Sequence, residues 1–466
     1  MLQNKETENY RQFLNFTGSS IEHKKQGRGT LQVSLDGMFF LGGDYGVDDS
    51  VPVNSFLKFD FTEDESKMIQ LPPFPIARSC LTSALIDEHL YIIGGYNGSY
   101  SLSDVHRFDF ITGTWESVTP LTNRKASISS VTYKNKIFVF GGVQGSRAFC
   151  EIESYNPCVN KWSITGHLHF KRSGCGVEKF QNKVYIFGGI NRDTDLPLEI
   201  YDLETNKVVT RHDIVVDLHS FGITLTYYDN IPYFVLAGGG NTCSPSKKTY
   251  LFNILEEKLE KVSSLNYKRQ YVKLIQLNNT VYAVGGYDGK KVVGDCEYFD
   301  MKQKRWLVKK AQFPYCGYSV FHGKIDMTIR GFWKNNELNG KVLLNHHWKG
   351  TYQNNKKKGV FTNDDTEERI FFYDNFQVSE SKYNVLQKIA HIKIPENFTC
   401  PISYEIMLDP VITSNGSTYD RKNISEWLIK HKTDPLTRVP INTVLTPNNL
   451  LKKIIREFLE SKKIFL

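Results

Sequence analysis

The sequence lacks any apolar run near the ~20 residues that a membrane-spanning helix needs. Its first residues, MLQNKETENYRQF, also lack the short apolar core of a secretory signal peptide. These two absences predict a protein of the cytoplasm, or of cytoplasm and nucleus. In those compartments we expect the eight cysteines to be reduced thiols.

Proline is scarce, with 16 residues against 34 glycines, and no long helical pattern is present. Aromatic residues reach 13%, so the composition favours sheets joined by tight turns. The formal net charge of +8 is small for 466 residues, and residues 321–360 hold eight basic and two acidic side chains, or +6 of it. This concentration argues against a global role in nucleic-acid binding.

A Gly-Gly pair ends an apolar run six times, at intervals of 52, 47, 47, 50 and 47 residues. The first glycines of the pairs are Gly42, Gly94, Gly141, Gly188, Gly238 and Gly285. Each run is typical of a buried strand, and a second strand such as FLKFDF or VHRFDF follows each pair. Trp115, Trp162 and Trp306 lie 21 residues beyond the first Gly of their own pair. Short sheets of this kind must stack around an axis to bury both faces, which predicts a β-propeller.

The Gly-Gly pair, the Tyr/Phe-Asp pair and the trailing Trp keep the order of the kelch-repeat family, which the chain resembles over residues 30–320. The resemblance implies a mainly β fold with six blades, or six plus a partial blade. Arg78, Arg124, Arg172 and Arg269 precede four of the pairs by 16 or 17 residues. They are expected either to line a pocket for an acidic ligand or, because they recur at constant phase, to hold each blade together.

The propeller is interpreted as a binding platform, because its histidines form no cluster suited to a copper site. Loops that differ between blades would then select a protein substrate. They are residues 44–54, 96–104, 143–149, 190–197, 241–248 and 287–295. The candidate substrate-binding residues on them are Tyr96, Asn97, Arg147, Asn191, Arg192, Tyr287 and Asp288.

The segments around the propeller are less distinctive. Residues 1–29 are interpreted as a polar N-terminal segment, and 381–392 as a linker helix. Between the last blade and that helix, GFWKNNELNGKVLL and GTYQNNKKKGVF repeat with a spacing of 19, so residues 321–380 resemble MORN-type β-hairpins. Part of a seventh blade and a solvated spacer are the alternatives. The basic charge of 321–360 would favour anionic lipid.

Residues 393–466 contain IPENFTCPISYEIMLDPV, then GSTYDR and an Ile-x-x-Trp-Leu step, in the order of the U-box family. The resemblance implies a small α+β domain related to the RING fold. One Cys and one His from Ile394 onward cannot supply two tetrahedral zinc sites, so neither a metal nor another cofactor is expected. Polar bracing would replace the metal, with Glu405, Asp409, Asp420 and Arg421 as its candidates. In the closing helix, Leu450, Leu451, Ile454, Ile455 and Phe458 are expected to face inward.

The resemblance also implies roles for two loops. Ile402 and Tyr404 of the first loop, with Pro435 and Leu436 of the second, would bind a ubiquitin-conjugating enzyme (E2). Arg438 would be the linchpin that orients E2 and ubiquitin. The chain is therefore predicted to be a U-box E3 ubiquitin-protein ligase whose propeller binds the substrate. The alternative is a non-catalytic scaffold with cytoskeletal or membrane partners.

Overall fold

The fold is described from a computed structural model. The described residues are 14–461 without 22–23, 45–50, 62–65, 88, 192–195, 242–243, 278, 311–318, 335–336, 345–347, 354–355, 364–368, 374–375, 379–394, 403–406, 408, 431 and 438. They fall into two compact units. The first unit comprises residues 1–357 and 362–367, and the second comprises 358–361 and 368–466. The predicted linker helix, residues 381–392, lies outside the described residues.

The first unit contains six four-stranded antiparallel blades. Their strands are numbered along the chain: β1 (Leu14–Ile21), β2 (Lys24–Leu41), β3 (Phe56–Phe61), β4 (Ser66–Leu71), β5 (Thr82–Ile86), β6 (His89–Ile93), β7 (Val105–Asp109), β8 (Thr114–Val118), β9 (Ser129–Tyr133), β10 (Lys136–Phe140), β11 (Val143–Gln144), β12 (Arg147–Ala148), β13 (Glu151–Asn156), β14 (Lys161–His167), β15 (Gly176–Phe180), β16 (Lys183–Phe187), β17 (Pro197–Asp202), β18 (Val208–Val215), β19 (Gly222–Tyr228), β20 (Ile231–Ala237), β21 (Thr249–Asn253), β22 (Lys258–Val262), β23 (Lys273–Leu277), β24 (Thr280–Val284), β25 (Cys296–Asp300), β26 (Arg305–Lys309), β27 (Ser319–Lys334), β28 (Glu337–Leu344) and β29 (Trp348–Gln353). A 3-10 turn (Pro157–Val159) joins β13 to β14. β1, β11, β12, β28 and β29 lie outside the blades.

The ring of blades is closed by a strand from the C-terminal side. β27 pairs with β2 from Leu41↔Ser319 onward and becomes the innermost strand of the first blade, in the order β27-β2-β3-β4. The innermost strands β5, β9, β15, β19, β23 and β27 contact one another in turn, and β27 contacts β5. The described strands therefore form a six-bladed propeller, and the partial seventh blade was a wrong alternative because β27 completes the first blade.

β2 and β27 also continue past the propeller. β1 pairs with the first half of β2, β28 pairs with β27, and β29 pairs with β28. Both predicted boundaries of the propeller, at residues 29/30 and 320/321, therefore fall inside or beside continuous strands, because pairing is not interrupted there. The consecutive hairpins agree with the expected hairpin architecture of this segment, while its assignment to the MORN type stays a prediction.

The middle strands are buried on both faces, because each blade packs between two others. In β6, β10 and β16 the last four residues are all buried, which explains the unbroken apolar runs LYII, IFVF and VYIF. The tryptophans of the outer strands connect neighbouring blades. The indole N–H of Trp115 donates to Pro72 O at 2.8 Å, and that of Trp162 donates to Thr119 O at 2.9 Å.

The Gly-Gly pairs end at the boundary between blades. The amide of Gly142 donates to Arg172 O of the next blade at 2.9 Å. A Cβ on the preceding Gly141 would lie 2.3 Å from the same oxygen, and Gly141 has a φ of +61°. Glycine is thus required twice here, for its backbone conformation and for the close approach of the next blade.

The buried arginines hold each blade together from inside. Arg172 is fully buried, and it donates to Gly188 O at 3.0 Å and to the Glu199 carboxylate at 2.5 Å. Arg269 likewise donates to Gly285 O at 2.7 Å and to Glu297 at 3.0 Å. These contacts favour the blade-holding interpretation over an acidic-ligand pocket.

Two blades vary this arrangement. Arg78 donates to Gly94 O at 2.9 Å, but the side chain that it meets is His106, with the Nδ1 at 3.1 Å, in place of a glutamate. Burial, followed by the charge of Arg78, lowers the pKa of His106 to about 4, so the ring is neutral and can accept this hydrogen bond. Arg124 does not belong to the set. Lys125 takes the buried position with Glu153 at 2.6 Å, and the exposed Arg124 stacks on Tyr100 at 4.8 Å.

The second unit contains a strand pair, a small sheet and two helices. Its elements, together with β30, which straddles the division between the units, are β30 (Lys356–Asn363), β31 (Arg369–Tyr373), β32 (Phe376–Val378), a 3-10 turn (Glu396–Phe398), β33 (Pro410–Ile412), β34 (Thr418–Asp420), α1 (Arg421–Lys430), β35 (Thr446–Pro447) and α2 (Asn449–Ser461). β33 lies between β34 and β35. No helix among the described residues is long and apolar enough to cross a bilayer.

The core of this unit gathers both helices against the sheet. Cys400, Val411, Tyr419 and Ile424 are fully buried, and Ile455 is 2% exposed. The prediction for the closing helix was partly wrong. Leu451, Ile455 and Phe458 pack on the core, but Leu450 is 71% exposed and Ile454 is 40% exposed. These two lie one position before the inward residues and are rotated about 100° away from the core.

We expect Gly141→Ala to destabilise the propeller by at least about 3 kcal/mol, since it combines a left-handed backbone with a clash at Arg172 O. Gly145→Ala is the matched control. Gly145 has a φ of +57° but nothing within 4 Å of its Cβ position, so it should lose only about 1 to 2 kcal/mol. Urea unfolding of both variants measures the difference. Equal losses would show that the close approach of the blades contributes nothing.

Candidate functional site

The second loop of the C-terminal unit is organised around a buried carboxylate. Asp434 is fully buried, and its Oδ1 accepts hydrogen bonds from the Leu436 amide at 2.9 Å, the Thr437 amide at 2.9 Å and the Tyr419 hydroxyl at 2.8 Å. The Thr437 hydroxyl in turn accepts from the Asn415 amide group at 3.0 Å. The Asp434 side chain therefore holds the backbone of the second loop in place.

The charge state of Asp434 follows from these contacts. Burial works against its ionisation, but the amides of Thr437 and Leu436 and the Tyr419 hydroxyl hold its pKa below the ordinary value. Burial, with the bond to Asp434, raises the pKa of Tyr419 to about 12. At neutral pH the pair is thus an ionised acceptor and a protonated donor, which is the stable combination.

The first loop is fastened by ion pairs at its end. Asp409 accepts from Arg421 at 2.7 Å and from Lys452 of α2 at 2.8 Å. The amide of Asp409 donates to the Asp420 carboxylate at 3.1 Å. The hydrogen bonds from Lys452 and Arg421 lower the pKa of Asp409. Three of the four residues predicted to brace the loops therefore come together, and the fourth, Glu405, lies outside the described residues.

The apolar residues predicted for the loops are only partly within the described residues. Ile402 is half-buried against the core of the unit, Pro435 is half-buried, and Leu436 is 60% exposed. Tyr404 and Arg438 lie outside the described residues. The second loop thus presents an exposed apolar residue directly beside the proline that Asp434 supports.

The prediction missed Asp434, Tyr419 and Lys452. Asp434 directly precedes Pro435 in the predicted second loop, and an acidic residue at that place was the signal that could have identified the buried carboxylate. Cys400, the cysteine of the first loop, is fully buried and its Sγ accepts from the Asp420 amide at 3.3 Å.

On the propeller, several predicted substrate-binding residues shape their own loops. Asn97 Oδ1 accepts from the amides of Ser99 and Tyr100, and Asp288 Oδ1 accepts from those of Lys290 and Lys291. In such turns the polar side chain forms hydrogen bonds with the backbone of its own loop.

The two tyrosines of the set also take part in the structure of the loops. The Tyr96 hydroxyl donates to Gly98 O at 2.9 Å, and Tyr287 forms a backbone bridge to Gln270. Arg192 lies outside the described residues.

Arg147 and Asn191 are placed differently, because both line one cavity of about 480 Å³ at the mouth of the central channel. The channel itself has a volume of about 410 Å³ and is lined by the innermost strands. Ser127, Gly174 and Ser220 are among the residues that line both. The structure therefore brings together two of the seven candidate residues.

Comparison with known proteins identifies the two parts of the chain. The sequence model of the U-box domain matches residues 394–464, that of the KLHDC2/KLHL20/DRC7 Kelch-repeats domain matches 29–177, and the Kelch motif matches 268–308. The chain combines kelch repeats with a C-terminal U-box. The six closed blades are the kelch propeller, and the two loops belong to the U-box.

Curated relatives resemble the U-box part. "E3 ubiquitin-protein ligase PUB24" of Arabidopsis thaliana is 47% identical over 74 residues, 16% of either chain. "U-box domain-containing protein 12" of Oryza sativa is 51% identical over 75 residues, 16% of this chain and 12% of that protein. "WD repeat, SAM and U-box domain-containing protein 1" of Danio rerio is 42% identical over 80 residues, 15% of this chain and 16% of that protein. The chain thus spans about a sixth or less of the length of these relatives.

We expect Asp434→Ala to open the second loop, because the buried Tyr419 hydroxyl and two loop amides lose their acceptor at once, at a cost of about 2 to 4 kcal/mol. Tyr419→Phe removes one of the three donors and should cost about 1 kcal/mol. Hydrogen exchange of peptides covering residues 410–455 measures both. Unchanged exchange in Asp434→Ala would show that the carboxylate does not hold the loop.

The same carboxylate predicts a pH dependence. Because the folded pKa of Asp434 lies below its unfolded value, its stabilisation is complete above the ordinary aspartate pKa and is lost as pH falls through the lower folded value. Between pH 5 and pH 2 the wild-type U-box should therefore lose more stability than Asp434→Ala, as followed by hydrogen exchange or proteolysis. An identical pH profile of the two would contradict this.

Proposed function

We propose that this chain is an E3 ubiquitin-protein ligase of the U-box type, whose propeller binds a substrate protein and whose U-box recruits the E2–ubiquitin thioester. The observation that carries the proposal is the second loop, where buried Asp434 supports half-buried Pro435 and exposed Leu436. The names of the relatives that share the U-box sequence support it.

The chemistry assigned to the chain is positioning. The thioester bond between the E2 cysteine and the ubiquitin carboxyl group breaks, the substrate lysine amine forms an isopeptide bond, and the thiol returns to the E2. The U-box needs no nucleophile for this transfer. Cys400 is fully buried in the core, so it does not fit the role of an exposed thiolate that would take over ubiquitin.

The E2-binding surface proposed for this U-box comprises Ile402, Tyr404, Pro435 and Leu436. An exposed leucine next to a rigid proline suits an apolar anchor, since interface hot spots combine apolar area with little conformational freedom to lose. Asp434 and Asp409 would act as positioning residues, because each holds the backbone of one loop through hydrogen bonds or ion pairs.

Arg438 is the proposed linchpin. A guanidinium carries its donors in a fixed fork and can hydrogen-bond two carbonyl oxygens at once, one on the E2 and one on ubiquitin. Holding the thioester in one arrangement raises the rate by reducing freedom of motion before the attack.

The assay for this proposal contains the full chain, activating enzyme, a panel of E2s, ubiquitin and ATP. We expect ubiquitin chains with at least one E2, and no chains from Pro435→Glu or Ile402→Glu, since a charge in an apolar contact costs about 2 kcal/mol or more. Leu450→Glu adds the same charge at an exposed position of α2 and should stay active. Absence of chains with every E2 would favour the scaffold alternative and overturn the proposal.

Arg438→Ala separates binding from activation. We expect E2 binding within about twofold of wild type and thioester discharge slowed at least about tenfold, since linchpin contacts act on the bound thioester. Single-turnover discharge of a loaded E2 to free lysine measures the rate, and titration of the uncharged E2 measures binding. Discharge at the normal rate would contradict the linchpin assignment.

A further inference from the structure

One mouth of the propeller channel is rigid. Successive blades are joined around it by backbone hydrogen bonds from Ser127 to Cys80, from Gly174 to Ser127, from Ser220 to Gly174 and from Tyr271 to Ser220, at 2.7–2.9 Å. Three of these four hydrogen bonds join two residues that both line the cavity of about 480 Å³. Such a volume suits several side chains of a bound segment, and a rigid wall loses little freedom on binding.

The cavity is basic. Arg147 and Lys171, both exposed, are its charged lining residues, and the described residues that line it include no Asp or Glu. Burial lowers the pKa of His219, so this third basic side chain is neutral near pH 7. The remaining polar lining consists of neutral groups, among them the hydroxyls of Ser127, Ser146, Ser173 and Ser220.

Arg147 is held in place by the fold. It lies on β12, which pairs with β11 through a two-residue turn at Gly145, so the loop is a tight hairpin. Its guanidinium stacks over the buried ring of Phe149 at 5.0 Å. The segment that contains Lys171 is joined to the residue just after this hairpin, because the Arg172 amide donates to Phe149 O at 3.0 Å. Two cations from separate loops thus line the same cavity.

Among the described residues no carboxylate lines this cavity, so its like charges repel one another, and an anionic ligand removes that cost. We propose that the mouth cavity binds an acidic segment of a protein, with Arg147 and Lys171 contacting its carboxylate or phosphate groups. This inference rests on the proposed role of the propeller as the substrate-binding part of the ligase. A protein segment fits better than a polynucleotide, because the two cations line one cavity at the mouth of the channel and do not follow an extended groove.

The test selects a displayed random-peptide library on the immobilised full-length chain. Enriched peptides should contain several-fold more Asp and Glu than the input library. The Arg147→Glu/Lys171→Glu variant should bind them at least tenfold more weakly by fluorescence anisotropy, and Arg147→Gln/Lys171→Gln should fall between it and wild type. Peptides carrying phosphoserine at the enriched acidic positions distinguish phosphate from carboxylate, and tighter binding of either form supports the proposal.

The matched control is Lys136→Glu/Lys207→Glu, which makes the same change in net charge at two exposed positions at the opposite ends of the strands, the first residue of β10 and the connection between β17 and β18. It should stay within twofold of wild type. The proposal is overturned by an absence of enriched peptides, by enrichment without acidic residues, or by equal loss in both double variants. Displacement of the peptides by single-stranded DNA or phosphatidylserine vesicles at equal charge concentration also overturns it.

Failure here is distinguishable from failure of the ligase proposal. Chain formation in the absence of any substrate tests the U-box and is measured on the wild-type chain, whereas peptide selection tests the mouth cavity of the same protein. A chain that forms ubiquitin polymers but selects no acidic peptide loses only this inference. The unfolding midpoints of the two double variants, compared with wild type, show that both are folded.

Discussion

The backbone hydrogen bond between neighbouring blades is the contact on which the rest of the propeller depends. At five boundaries the amide of the second glycine of a pair donates to a carbonyl of the next blade at 2.7–3.0 Å. The pairs are Gly43 to Arg78, Gly95 to Lys125, Gly142 to Arg172, Gly189 to Leu218 and Gly239 to Arg269. A Cβ on the glycine before each donor would lie 2.3–2.6 Å from the same oxygen. The Gly-Gly pair therefore recurs in the sequence because this contact recurs between the blades.

The accepting residue contacts two blades, because its carbonyl accepts a hydrogen bond from the preceding blade and its side chain packs within its own blade. Where it is Arg or Lys, the charge meets Glu153, Glu199, Glu297 or the neutral ring of His106. The fifth blade has Leu218 at this place and Tyr250 at the place of the glutamate. Losing both charges together avoids a buried, unpaired ion, which is the costly outcome.

The sequence was sufficient to predict at least six blades and the strand that each Gly-Gly pair ends, because these depend on local patterns repeated in phase. It was also sufficient to predict the U-box, because the motifs of that family are contiguous in the chain. It was insufficient where partners come from distant parts of the chain. Nothing local marks Ser319 as the residue that pairs with Leu41. Lys125, and not Arg124, takes the buried position in its blade because the Lys125 carbonyl is the one that accepts the amide of Gly95, and the sequence alone does not show which carbonyl that is. In α2, a rotation of one residue separates the inward Ile455 from the exposed Ile454.

The same limit applies to the candidate sites. Asn97 and Asp288 resemble binding residues in sequence, yet each bonds the amides of its own turn. Arg147 and Lys171 differ because, among the described residues, neither is fastened by a carboxylate. A polar loop residue is therefore a candidate for binding only if its side chain does not already bond the backbone of its own loop. In the U-box, Asp434 and Asp409 stabilise the loops, and the exposed Leu436 belongs to the proposed E2-binding surface.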